Sequence, residues 1–133
     1  MNNLEKFRPY GLALLRIVAA YMFILHGTAK FWEFPISMTG GNGAVDAPLM
    51  IVGGIVEIVG GILVLLGLFT RPAAFLLSGQ MAYAYFFMHA AQGNLFFPLA
   101  NGGELALLYS VVFFYFVFAG AGAFALDNKF KKN

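Results

Sequence analysis

Residues 48–68 read PLMIVGGIVEIVGGILVLLGL, with Glu57 as the one ionisable side chain. Crossing the ~30 Å hydrocarbon layer of a bilayer takes about 20 apolar residues, and this stretch is long enough. No apolar–polar alternation supports a strand, and a backbone in lipid must close its hydrogen bonds internally, so the segment is predicted to be helical. Three further stretches qualify, at about 10–32, 72–92 and 103–126. Of the 133 residues, 61% are hydrophobic and 11% charged, whereas a soluble domain carries about 25% charged residues. Mean hydropathy is +0.80. The expected fold is all-α: a single domain, 1–133, built as an integral membrane bundle of four transmembrane helices.

Punctuation supports these limits. Pro48 suits the first turn of the second helix, Gly67 its end, and Thr70-Arg71-Pro72 a tight turn into the third. Asn101 is placed to cap the fourth helix, with Glu104 three residues on in a capping-box-like arrangement. The longest connections are 35–47 and 93–101. Lys6, Arg8, Arg71, Lys129, Lys131 and Lys132 fall on the side of both termini and Lys30 alone toward the other, which predicts cytoplasmic termini. The first span is too long for a signal peptide, contains Arg16 and lacks a clear cleavage site, so it reads as an uncleaved helix. The expected location is a cytoplasmic (inner) membrane, crossed several times.

The net charge of +2 and pI near 9.0 do not point to nucleic acid, because the basic residues are thinly spread and flank apolar runs. No cysteine is present, which excludes disulfides, thiolate nucleophiles and cysteine-ligated iron–sulfur clusters. P-loop, dinucleotide, HExxH and serine-triad patterns are also missing.

The polar residues inside the spans carry the functional reading. Arg16, His26, Lys30 and Glu33 fall within about 100° of one face of the first helix. Lys30 and Glu33 suit the outer interface as snorkelling anchors, whereas Arg16 needs a partner or a cavity. Gly53, Glu57, Gly60 and Gly61 share a face of the second helix, so Glu57 should face protein. Counted from the inner ends, Arg16 lies ~9 Å in and Glu57 ~16 Å in, which makes them the expected buried pair, with Lys30 a poorer partner. His26 and His89 reach similar depths on the first and third helices. They suit a quinone-like ring or, less well, a haem, or simple interfacial hydrogen bonding. Gln80 points away from His89. His26, Lys30, His89 and Glu104 are expected to converge in a polar outer pocket covered by the two long connections. The abundant Phe residues read as lipid-facing or packing groups, and Trp32, Tyr83 and Tyr109 as interfacial ones. No group of residues marks a metal site.

Several motifs together resemble the DoxX family: Leu15-Arg16; His26-Gly27-x-x-Lys30-Phe31; Glu57-x-x-Gly60-Gly61-x-Leu63-x-x-x-Gly67-Leu68-x-Thr70-Arg71; Asn101-Gly102-Gly103-Glu104-x-Ala106; and Gly120-x-Gly122-x-x-x-x-Asp127. The ending departs from the family pattern, with Ala121 in place of Pro and Ala125 in place of Ser. The resemblance implies a four-helix bacterial or archaeal membrane protein, similar to a small membrane subunit of a thiosulfate:quinone oxidoreductase. Arg16, His26, Lys30, Glu57, Asn101, Glu104 and Asp127 occupy its motif positions. Together these readings give an expected ligand site of Arg16, His26, Lys30, Glu57, His89, Asn101 and Glu104, with quinone as ligand and oxidoreductase subunits or a second copy as partners. The alternative is a non-enzymatic scaffold, or a carrier of a small solute or proton.

Overall fold

A computed structural model describes residues 3–130; Lys131 and Lys132, counted above for orientation, lie outside them. The described chain is helical, and four long segments share one core. A short 3-10 turn leads into α1 (Arg8–Trp32), followed by α2 (Pro48–Leu66) and α3 (Thr70–Ala84), which runs on through a π turn, Tyr85–His89, and a 3-10 turn, Ala90–Gln92. Two short helices, α4 (Pro98–Asn101) and α6 (Asp127–Phe130), flank the last long one, α5 (Glu104–Ala119). Two of these helices, Asn3–Trp32 with its leading turn and Pro48–Leu66, are long and apolar enough to cross a membrane, and α5 is a shorter apolar helix.

Two sequence expectations need correction. The fourth helix does not reach residue 126: it ends at Ala119, and the chain turns back through Gly120 and Gly122, both at positive φ. Asn101 is not the cap of that helix either. It ends α4, and the left-handed Gly102 (φ 76) separates it from α5, whose N-cap position is Gly103. Its Oδ1 accepts the Gly103 N–H at 2.7 Å, just outside the helix, while its Nδ2 donates to Asn94 O and to the Tyr85 hydroxyl.

Helix α1 buries Ala13, Arg16, Ala20, Phe23, Gly27 and Lys30, and α2 buries Gly54, Glu57, Gly61 and Val64. Both rows follow the alternating three- and four-residue spacing of a packed seam. The helices run antiparallel and very close. A β-carbon on Gly27 would lie 2.4 Å from Ile58 and one on Gly61 2.6 Å from Ile24, while Gly54 faces the Phe31 ring. Lipid offers no hydrophobic drive for helices to associate, so this contact rests on dispersion across backbones that small residues let approach. On the other side, the Ser78 hydroxyl donates to Ser110 O at 2.7 Å and Ser110 donates back to Ser78 O at 3.0 Å, joining α3 to α5. Gln80 donates to Gly53 O, tying α3 to α2. Phe23, Phe113, Phe116, Leu77 and Val64 fill the centre with no exposure. Outside, Val52, Ile55, Val59, Ile62 and Leu66 form an exposed apolar stripe along α2, the arrangement expected of a surface that faces hydrocarbon.

The end of the molecule that carries both termini is tied together through backbone groups. Leu126 N–H and Asp127 N–H donate to Leu66 O and Gly67 O at the end of α2, and Ala123 N–H donates to Pro9 O in α1. The Asp127 carboxylate accepts the N–H groups of Phe69 (2.8 Å) and Thr70 (3.0 Å) at the start of α3. Arg71 donates to the carbonyls of Val117 and Phe118 at the end of α5. Partial burial pushes the Asp127 carboxyl upward, but the donors at Thr70 and Phe69 and the charge of Arg16 outweigh it and hold the group below the ordinary aspartate value.

Two outcomes follow. Gly67 sits at φ +68, and a β-carbon there would meet the Ala125 Cα at 2.8 Å, whereas Gly79 has nothing within 4 Å. Gly67→Ala should cost about 2–4 kcal/mol from left-handed strain and overpacking, and Gly79→Ala should be neutral or gain up to ~1 kcal/mol, read by unfolding in detergent. For Asp127 the stabilisation is complete above the ordinary aspartate range and is lost as pH falls through the lowered folded value. Asp127→Asn should lower stability at neutral pH and flatten that acid limb in thermal unfolding.

Candidate functional site

Arg16 and Glu57, the expected pair, are held apart. Arg16 has no exposure, and its guanidinium donates to four carbonyls: Ala121, Ala123 (3.0 Å), Phe124 (3.0 Å) and Leu65 (3.5 Å). Glu57 pairs instead with Lys30, Nζ to Oε1 at 2.5 Å, with both side chains buried. The depth count failed because it set the inner ends of α1 and α2 level. The packing places Gly67 against Arg16 and Gly27 against Gly54 and Ile58. Helix α1 therefore extends well beyond α2 at the end that carries the termini, and Lys30 stands only about one turn, ~6 Å, from Glu57 along the helix axis. That is within reach of a lysine side chain bending inward, so Lys30 is a core residue and not an interfacial anchor.

Next to this ion pair, His26 and Tyr109 face each other across α1 and α5. Their rings are 5.8 Å apart and perpendicular, and Phe23 lies edge-on to Tyr109 at 5.2 Å. His26 is half-buried and Tyr109 buried. Both line an open pocket of about 260 Å³ together with Met22, Leu25, Pro35, Ile36 and Met38. The Tyr109 hydroxyl is buried and has no hydrogen-bond partner among the described residues, an arrangement that costs about 1–3 kcal/mol unless something binds there.

The loop beside this pocket is held by short polar contacts. Thr28 donates to Phe34 O at 2.7 Å, Val45 N–H returns to Lys30 O, and Ser37 and Thr39 satisfy the turn at 37–43. Pro35, Ile36 and Met38 thereby line the pocket with His26, so the first of the two long connections supplies part of its wall.

The remaining expected site residues lie elsewhere. His89 ends the π turn and packs against Gly103, where a β-carbon would lie 2.9 Å from its own. Glu104 is exposed at the start of α5. Neither lines the cavity of His26. The widened π turn changes the rise along the outer part of the third helix, so a depth counted at 1.5 Å per residue does not hold for His89. Asn101 is engaged at its turn, and Arg16 lies with the inner carbonyls. Tyr109 was missed as a site residue. Its signal was a hydroxyl on the inward face of a helix otherwise filled with Phe, in register with Phe113 and Phe116.

The ion pair generates a coupled prediction. Lys30→Met or Glu57→Gln alone leaves a buried charge without its partner and should cost about 3–5 kcal/mol. The double variant should lose much less than the sum, whereas Arg16→Met combined with Glu57→Gln should be additive. Unfolding of the purified variants in detergent reads both cycles.

Residues 11–90 match the DoxX family. The chain is 77% identical over 133 residues to an uncharacterized protein of Haemophilus influenzae, covering 99% of each chain. No solved structure matches it. With more than half its length matched to the family and its exposed apolar helix faces, the chain belongs to the DoxX family of membrane proteins.

Proposed function

We propose that this protein is a four-pass protein of the bacterial cytoplasmic membrane, with both termini inside. In this reading it binds a quinone-like ring between α1 and α5 as a membrane subunit of, or accessory to, an oxidoreductase. The observation that carries the reading is that Tyr109, whose buried hydroxyl has no partner among the described residues, lines an apolar pocket together with His26. At about 260 Å³ the space lies below the ~300–1,000 Å³ typical of drug-sized ligands, which suits one substituted ring and not a dinucleotide or a haem. His26 and Tyr109 supply hydrogen-bonding groups for the carbonyl oxygens of such a ring. Met22, Leu25, Ile36 and Met38 supply its apolar walls. Lys30 and Glu57 lie behind the aromatic wall, paired and neutral as a unit, so the site favours an uncharged ligand. Of the residues expected from the sequence, His26 would touch the ligand, and Lys30 and Glu57 would support it. His89, Asn101, Glu104 and Arg16 have no part in this pocket.

A scaffold or carrier without enzymatic partners is the second reading. It is favoured by the Arg16 cage and the Lys30–Glu57 pair, which engage most of the buried charge internally.

The two readings differ in what the purified protein retains. Extraction in mild detergent followed by lipid mass spectrometry should recover quinone, and a short-tailed quinone should raise the thermal midpoint of the delipidated protein. Tyr109→Phe and His26→Ala should each weaken that response about tenfold, the ~1.4 kcal/mol of one hydrogen bond, and Tyr109→Phe, by removing an unpaired buried hydroxyl, should raise unliganded stability by about 1–3 kcal/mol. Recovery of no quinone together with no response to the added analogue would sink the quinone reading and leave the scaffold.

A further inference from the structure

A second and larger opening lies at the opposite end of the molecule, where the termini meet. It is a groove of about 760 Å³ between the ends of α1, α3 and α5, walled by Arg8, Arg71 and Asp127 with Phe69, Pro72 and Phe130. Its charge is positive in effect. Both Asp127 oxygens are engaged by the N–H groups of Phe69 and Thr70, where a carboxylate compensates the positive end of α3. Among the described residues Arg8 is held only by Glu5, at 3.3 Å, with its side chain 73% exposed.

Arg71 is oriented from behind. One terminal nitrogen, Nη1, donates to Val117 O and Phe118 O, both at 2.7 Å. A guanidinium has five N–H donors, and the described residues engage Arg71 only through Nη1. Its other terminal nitrogen is left open by Gly120, where a β-carbon would sit 3.0 Å away. A fixed guanidinium with free donors, a second arginine on the same wall and an apolar lower rim form a site for a phosphate that carries a hydrophobic tail.

We propose that this groove binds the phosphate headgroup of an anionic phospholipid of the inner leaflet, seated against Arg71 with Arg8 beside it. The choice of a lipid over a soluble anion rests on continuity. Leu12, Phe69 and Phe130 carry the groove wall, and Phe69, Phe75 and Phe130 are more than 60% exposed, so acyl chains leaving the headgroup meet apolar surface. Basic pockets at the cytoplasmic ends of membrane helices recognise anionic headgroups in this way. The proposal rests on the membrane-spanning reading with cytoplasmic termini.

The test is native mass spectrometry and thermal unfolding of delipidated full-length protein titrated with phosphatidylglycerol, with phosphatidylcholine, and with inorganic phosphate. Phosphatidylglycerol should be retained in preference to phosphatidylcholine and should raise the midpoint. Arg8→Gln, which alters no buried contact, should weaken phosphatidylglycerol retention about fivefold, the effect of one basic residue at an anionic surface, with the lipid-free midpoint unchanged. Arg71→Lys, which keeps the charge but loses the planar fork, should weaken it further. Equal retention of both lipids, or no effect of Arg8→Gln, would overturn the proposal. So would an equal midpoint shift with inorganic phosphate, which would make the groove a soluble-anion site. Protein that leaves the membrane fraction without detergent would instead overturn the membrane reading itself.

Discussion

The structure depends on how closely α1 and α2 approach. Gly27, Gly54 and Gly61 bring the two backbones together, and every polar position on these helices inherits its neighbours from that register. Because Gly67 faces Arg16, the arginine stands at the end of α2, where it reaches Leu65 O and the carbonyls of Ala121, Ala123 and Phe124. Because Gly27 faces Gly54 and Ile58, Lys30 stands about one turn from Glu57. A shift of a single turn would place an unpaired charge in the core, at a cost of several kcal/mol. Close packing and charge pairing therefore select the same register, which is the consistency expected of a chain with one native state.

Arg16 serves the end that carries the termini as a hub. Helix C-termini leave carbonyls without intrahelical partners, and a guanidinium with its five N–H donors can bind four acceptors at once. The segment after α5 bends back to present the carbonyls of Ala121, Ala123 and Phe124 to it. Leu126 and Asp127 then close the end of α2, and the Asp127 carboxylate opens α3. One short stretch thus satisfies two helix ends that would otherwise be costly near lipid. Its glycines are needed where the chain reverses: Gly122 packs so tightly on Pro9 that a β-carbon would sit 2.7 Å from its carbonyl oxygen.

Much of this was legible in the chain. The apolar runs, Pro48 at a helix start, Gly67 at a helix end and the glycine face around Glu57 all correspond to observed features, because each expresses a local preference or a periodicity. What could not be read was relative displacement between helices. The Arg16–Glu57 pairing was a reasonable inference from depth, yet it assumed level helix ends, and only the interlocking of Gly61 with Ala20 and Ile24 sets the true offset. The end of α5 was overextended for a related reason. Residues 120–126 are apolar enough to continue a span, and their hydrogen bonds go to other helices, which no single-helix pattern records. His89 illustrates the third difficulty: a π turn changes the rise per residue without a strong sequence mark.

The contrast between the two ends bears on where ligand chemistry can occur. At the end that carries the termini Arg16 is held by backbone carbonyls, although its Nε and the Thr70 hydroxyl are buried without a partner among the described residues, and Arg71 lines the groove. Toward the other end the Lys30–Glu57 pair is closed, and the Tyr109 hydroxyl is buried without a partner among the described residues, in a residue that lines an apolar space. An empty polar contact of that kind is costly in a protein interior, and a chain this rich in Phe had a simple alternative, since Phe at the same position would pack equally well. On the proposed reading, that hydroxyl is what a group entering the pocket would meet. With the neighbouring ion pair neutral overall, a ring with polar oxygens would fit there better than an ion. An anion would find its counter-charge at the arginines of the opposite end.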